Sequence, residues 1–280
     1  LETKIAQAHL KKELTRDMAA MYNKTAIADF NKFMPTFNMN LMLQKAGITN
    51  EKNILACQPT FLKALDGIIK STPLEVWKTY LKWNVIDGAA GYLTSAFDKQ
   101  NFEFYGKVLS GTPEQLPLWR RGVEVVNGSL GEVIGEIYVK KHFSPEAKKR
   151  MSEMVQNLLD AYKESIQSLD WMTPATKKEA LDKLAKFTPK IGYPDTWRDY
   201  SSLKIVKGDL YGNVERATLF EYNRQLGKLG KPVDRKEWGM TPPTVNAYYN
   251  ASMNDMNFPA AVLLPPLFDL DRKSTRLNSS

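Results

Sequence analysis

Residues 144–169, SPEAKKRMSEMVQNLLDAYKESIQSL, carry the start signals of an α-helix and an apolar stripe to match. Ser144 suits the N-cap, Pro145 the first helical position, and Glu146 the first turn, where its charge complements the exposed N–H groups. Met151, Met154, Val155, Leu158, Leu159, Tyr162, Ile166 and Leu169 then recur at three- and four-residue spacing, which places them on one face of a 3.6-residue period. Downstream, Thr173-Pro174 repeats the start signal, and Leu181, Leu184 and Phe187 form a shorter stripe, predicting a helix over 174–187. Upstream, Ser71-Thr72-Pro73 opens a run through Val76, Trp77, Tyr80, Leu81 and Trp83. That run predicts helix over 73–109, closed by Gly111-Thr112-Pro113. A further helix is expected near 213–229, and Ile191-Gly192-Tyr193-Pro194-Asp195 reads as a rigid loop. The expected class is mainly α, with a large helical domain over residues 1–240.

The pattern changes after Pro242-Pro243. Residues 244–249 are rich in Val, Tyr and Thr, which favour strands. Asn250-Ala251-Ser252 offers a turn, and residues 254–264 rise through Phe258 and Pro259 to an apolar end before Pro265-Pro266. The prediction is a hairpin whose proline-marked second strand lies at a sheet edge. A two-stranded hairpin alone is marginal, so it should belong to a larger sheet. Residues 272–280 hold one Leu among charged and small polar side chains and are expected to be a non-native tail.

Composition narrows the functional classes. The 280 residues are 43% hydrophobic and 25% charged, with 16 Gly and 15 Pro, which excludes disordered and collagen-like chains. No run approaches the ~18 apolar residues of a membrane span, and no signal peptide opens the sequence. Net charge is +8, but the cations are scattered. The group Lys148, Lys149 and Arg150 lies beside Glu146 and Glu153, as on a solvated helix face, so nucleic acid is not an expected partner. The single Cys57 excludes an internal disulfide; within Ile54-Leu55-Ala56-Cys57 it reads as a buried, inert thiol. His9 and His142 are the two histidines. Neither has a second histidine four residues on, so no His-Glu-x-x-His motif is present. Counting leaves a Ser-His-Asp or Cys-His site open, but no nucleophile-elbow signature appears, so by motif no complete active site is expected.

Val245-Asn246-Ala247-Tyr248-Tyr249-Asn250, Phe258-Pro259-Ala260-Ala261-Val262-Leu263 and Pro265-Pro266-Leu267-Phe268 resemble the neprilysin family of zinc metallopeptidases, in the stretch just upstream of its zinc motif. Tyr22-Asn23-Lys24, Trp119-Arg120-Arg121, Val126-Asn127-Gly128, Leu169-Asp170-Trp171-Met172, Thr176-Lys177-Lys178 and Lys190-Ile191-Gly192-Tyr193-Pro194 stand in family order, so the resemblance spans about residues 1–271. The family's His-Glu-x-x-His helix is expected beyond Phe268. Gly122 stands where vertebrate members carry a disulfide cysteine, which resembles a bacterial member.

The resemblance implies an internal piece of an extracytoplasmic (periplasmic or secreted) zinc metalloendopeptidase or oligopeptidase. Residues 241–271 would begin its thermolysin-like catalytic domain. Zinc would serve the full-length enzyme, and none would be bound by these residues alone. Peptides are the implied substrates, cut on the amino side of apolar residues. By resemblance Asn246 offers its side-chain amide to the peptide backbone, and Ala247 offers its carbonyl to the amine side of the cut. Val262 and Leu267, the latter in place of a more usual phenylalanine, match positions lining the pocket for the residue after the cut. Catalytic and metal-binding residues are expected in none of these positions. The alternative is a non-catalytic helical module that binds peptides or proteins. On residue type alone, Asn246 is also an ordinary turn or ladder asparagine, and Val262 and Leu267 are ordinary core residues.

Overall fold

The structure, a computed structural model, describes residues 1–270; residues 272–280, expected to be a non-native tail, lie outside them. Two compact units divide the chain. The first comprises Leu1–Gln115, Gly208–Tyr211 and Leu219–Pro232. Its helices are α1 (Glu2–Ala8), α2 (Met18–Met21), α3 (Met39–Lys45), α4 (Pro59–Ser71), α5 (Leu74–Ala89) and α6 (Ser95–Asn101). An antiparallel pair, β1 (Lys24–Ala26) and β2 (Asn53–Leu55), is set in register by Thr25 opposite Ile54. The core is Phe30, Met34, Met39 and Leu43, against which Ile48, Ile54, Leu62 and Ile69 pack. Asp66 of α4 is buried but accepts the Thr36 N–H at 2.9 Å and the Thr36 hydroxyl. Those bonds offset the cost of removing a carboxylate from water.

The expected run over 73–109 is helical but not one helix. After α5 comes a 3-10 turn, Ala90–Tyr92, then extended Leu93, then α6 continuing into a π-helical stretch, Phe102–Leu109. Gly111, at φ +67°, ends it in the left-handed region that glycine adopts without strain. Cys57 departs from expectation. Alternation through β2 half-buries Ile54, exposes Leu55 and buries Ala56, and Cys57 falls on the exposed side.

The second unit comprises Leu116–Lys207, Gly212–Thr218 and the stretch from Val233 onward. It contains α7 (Leu118–His142), α8 (Pro145–Ser168) and α9 (Pro174–Ala185), with strands β3 (Thr188–Gly192), β4 (Tyr248–Asn250) and β5 (Asp255–Pro259). The helix α10 (Leu210–Leu226) gives residues to both units. The cap of α8 is as read: the Ala147 N–H donates to Ser144 Oγ at 3.1 Å. Thr173 caps α9 in the same way, from the Thr176 N–H at 3.2 Å. The core joins Val139 of α7 and Phe143 just after it, Ala147 and Met151 of α8, Ile191 of β3, and Ala260 and Leu263 after β5. Among the described residues no helix is long and apolar enough to cross a membrane.

The predicted hairpin exists and belongs to a larger sheet, ordered β3-β5-β4. Its second strand, however, is not at an edge. β5 lies in the middle, antiparallel to β4 and parallel to β3. Pro259 is accommodated because it is the last residue of β5, opposite Gly192, where the ladder ends. The segment read as a rigid loop at 191–195 therefore begins in a strand. At Gly192, φ is +79° and a Cβ would meet the Phe143 ring at 2.5 Å, so both backbone and packing require glycine.

Two glycines of α7 fix the entry to the hairpin. A Cβ on Gly131 would sit 2.4 Å from Thr241 Cγ2, and one on Gly135 would sit 2.6 Å from Pro242 Cδ. The helix also departs from helical geometry at Leu130 (φ −129°, ψ 31°), next to Gly131. Close backbone approach thus seats Thr241 and Pro242 before the chain turns into the sheet. Gly135→Ala should destabilise the protein by about 1–3 kcal/mol in urea unfolding. Gly128→Ala, on the same helix with open space around it, should be neutral or stabilise by up to about 1 kcal/mol. Equal effects would show that the contact with Pro242 is unimportant.

Candidate binding edge

β4 is one of the two terminal strands of the three-stranded sheet, β3 being the other, so one side of its backbone has no strand partner among the described residues. An unpaired row of N–H and C=O groups can take up an extended peptide. Only residues 248–250 pair as β4, shorter than the 244–249 predicted, and Asn246 and Ala247 form the lead into it. The strand shortens because residues 241–244 are occupied elsewhere. The Thr244 N–H donates to the Thr241 carbonyl, Thr241 Oγ1 donates to Asn127 Oδ1, and the Ala261 N–H donates to the Pro242 carbonyl.

Asn246 is exposed, and its Oδ1 accepts the N–H of Ala247 at 2.8 Å. That bond fixes which end of the amide is which. The oxygen faces the main chain, and the NH2 group is left as the outward donor. Ala247 is half-buried, and with its N–H already used, its carbonyl is the group available for a bound chain. The far end of the hairpin is locked. Asn250 Oδ1 accepts the N–H groups of Ser252 and Met253, Asn254 adopts φ 52°, and its Nδ2 donates to the Lys183 carbonyl at 2.8 Å. Tyr249 donates to Asn254 Oδ1 and stacks on Phe187.

The four residues singled out in sequence fall in two places. Asn246 and Ala247 precede β4; Val262 lies in the 3-10 turn Ala260–Leu263 that follows β5, half-buried against the core. Leu267 lies beyond the cis Pro265–Pro266 bond and is 73% exposed. Val262 thus has the core contact of an ordinary packing residue; Leu267 does not.

The strongest electrostatic feature of the sheet was not legible in sequence. Lys190 Nζ contacts Asp255 Oδ2 at 2.5 Å and donates to the Glu237 carbonyl at 2.8 Å. The two side chains are 7% and 2% exposed. Asn257, fully buried between β3 and β4, donates from Nδ2 to Asp255 Oδ1 at 3.2 Å. Tyr248 stands opposite Asn257 in the ladder, and its hydroxyl accepts the Gly239 N–H at 2.7 Å. Burial, with the nearby Asp255 and Glu237 charges, raises the phenol above its ordinary value, so it stays neutral; the Gly239 bond opposes this.

Comparison with known proteins identifies the family of the chain. The model of peptidase family M13 matches residues 1–194, well over half of the chain. The chain belongs to peptidase family M13. It is 31% identical over 271 residues to the neutral endopeptidase of Lactobacillus helveticus, covering 96% of this chain and 42% of that protein. It is 27% identical over 302 residues to human neprilysin, covering 98% and 39%. Among solved M13 structures, the zinc metalloprotease Zmp1 of Mycobacterium tuberculosis in complex with an inhibitor aligns with a TM-score of 0.88 at 42% identity, covering 96% of this chain and 41% of that one. The chain therefore spans about two fifths of the length of these relatives.

M13 enzymes are zinc metallopeptidases, and the described residues do not fit that metal. No group of three or more His, Cys, Asp or Glu among them is arranged to hold an ion. His9 stacks on Phe61 at 4.0 Å, and His142 lies against Tyr138 at 5.0 Å.

Proposed function

We propose that this chain is the peptide-holding part of an M13 zinc metalloendopeptidase or oligopeptidase. In this reading residues 1–240 are its helical domain, and residues 241–271 open its catalytic domain. The observation that carries it is the edge at β4, with an outward Asn246 amide and an N–H of Ala247 already satisfied within the protein. An extended peptide laid along this edge would accept a hydrogen bond from the Asn246 NH2 and donate one to the Ala247 carbonyl. Two opposed bonds from adjacent residues would set the direction of the bound chain as well as its position. Val262 and Leu267 would line the pocket after the scissile bond, which supports a cut on the amino side of apolar residues. Zinc and its His-Glu-x-x-His ligands would come from sequence beyond the described residues. Family kinship supports action outside the cytoplasm.

The test is a comparison of lengths. The polypeptide encoded by the complete gene should hydrolyse a fluorogenic peptide with an apolar residue after the cut, lose that activity to a chelator, and regain it with zinc. The 280-residue chain alone should retain no stoichiometric zinc after dialysis and cleave nothing. A full-length protein that binds peptides but contains no zinc and cleaves none would favour a non-catalytic binding module instead. Chelator-sensitive hydrolysis by the 280-residue chain alone would show that the catalytic set has been looked for in the wrong place.

A further inference from the structure

We propose that Tyr248 is a positioning residue: through the bond from Gly239 to its hydroxyl, it sets how Asn246 and Ala247 are presented to a bound peptide. The inference rests on the reading of β4 as a peptide-holding edge and assigns the device that holds that edge in place.

A terminal strand with three paired residues is a weak platform. One of its sides has no strand partner among the described residues, and each ladder bond contributes modestly. The strand here has a second attachment, on the face of the sheet. Lys190, Asn257 and Tyr248 form one row across β3, β5 and β4, since Lys190 pairs with Asn257 and Asn257 with Tyr248. Paired residues in a ladder place their side chains on the same face. Asp255 lies two residues before Asn257, hence on that face too, and holds Lys190. Lys190 in turn donates to the carbonyl of Glu237, two residues before Gly239. The N–H of Gly239 donates to the Tyr248 hydroxyl.

The row closes a loop of contacts. Segment 237–239 is tied at Glu237 to the sheet's central ion pair and at Gly239 to its terminal strand. The half-buried Tyr248 is thereby fixed at its backbone by β5 and at its ring tip by the main chain of residue 239. Two residues upstream, Asn246 inherits that orientation. Gly239 is suited to the contact because a Cβ there would stand 3.0 Å from the phenolic oxygen. A tyrosine used only to fill apolar space has no need of the hydroxyl, whereas here the hydroxyl is the atom that makes the second attachment.

The experiment is steady-state kinetics of the full-length enzyme carrying Tyr248→Phe, with zinc content and the fraction of active sites measured in parallel. Loss of the hydroxyl frees the strand without removing a group that touches the peptide. KM should rise about 3- to 10-fold with kcat within twofold, the pattern of weakened uniform binding. Gly239→Ala, which crowds the same oxygen, should raise KM in the same direction, and it decides the matter if Tyr248→Phe does not fold. An unchanged KM, or a fall confined to the active fraction and thermal stability, would overturn the inference and make Tyr248 a packing residue. Asn246→Ala separates the two levels. If it impairs catalysis while Tyr248→Phe is silent, only the positioning role fails; if both are silent, the peptide-holding reading fails with it.

Discussion

Asn246→Ala in the full-length enzyme should lower kcat/KM by about 5- to 150-fold, the equivalent of roughly 1–3 kcal/mol for a backbone group left unpaired in a partly desolvated cleft. Folding and zinc content should not change. In this structure Asn246 is exposed, and among the described residues its side chain bonds only the N–H of the next residue. Little in the fold therefore depends on it, which makes the substitution a clean one. The same geometry warns against Asn246→Asp. The carboxylate would still accept the Ala247 N–H, so the local turn would persist, but the outward donor would become an acceptor facing a peptide carbonyl. That variant should be at least as impaired as alanine. Peptide hydrolysis measured across the three proteins checks both statements, and wild-type kinetics in the alanine variant would reduce Asn246 to an ordinary lead-in residue.

The largest stability effect should come from Lys190→Met. It would leave Asp255, 2% exposed, as a buried carboxylate without its cation. Breaking one side of such a pair costs about 3–5 kcal/mol, most of it the penalty of an unpaired buried charge. The double variant Lys190→Met with Asp255→Leu removes both charges and should recover a large part of that loss. Urea unfolding of the full-length protein, followed by tryptophan fluorescence, reads the difference. A single variant within about 1 kcal/mol of wild type would mean that the pair is solvated or replaceable. The pair also bears on specificity of folding, since it joins strands whose residues are 65 positions apart.

The helices were legible because their signals are local. Ser144, Pro145 and Glu146 announce α8 within three residues, and the cap forms where the sequence put it. Thr173 does the same for α9. The sheet was harder to read for the converse reason. β3 is Thr188-Pro189-Lys190-Ile191-Gly192, in which Pro, Lys and Gly all disfavour strands. It is a strand because β5 pairs with it from far along the chain and because Asp255 neutralises the lysine that would otherwise keep it in water. With β3 unseen, β5 looked like an edge. Cys57 misled by its neighbours: an apolar run suggests burial, but strand alternation decides which side each residue faces. The candidate site was reached by a different route. Asn246 and Ala247 came from resemblance to a family, and no periodicity or spacing would have picked them out. The structure adds that the Asn246 amide oxygen takes the Ala247 N–H, leaving the NH2 outward.

The pairing of β3 with β5 also has a consequence for the newly made chain. A ribosome releases β3 long before its partner, so for some 65 residues of synthesis that strand has no ladder to join. Unpaired strands at that stage are the sites at which nascent chains associate wrongly. Pro189 and Lys190, poor choices for the strand's own stability, suit that interval: one removes a donor and the other carries charge on an open edge. The lysine that ends as half of a dry ion pair would thus begin as a guard against aggregation, relieved when Asp255 emerges to meet it.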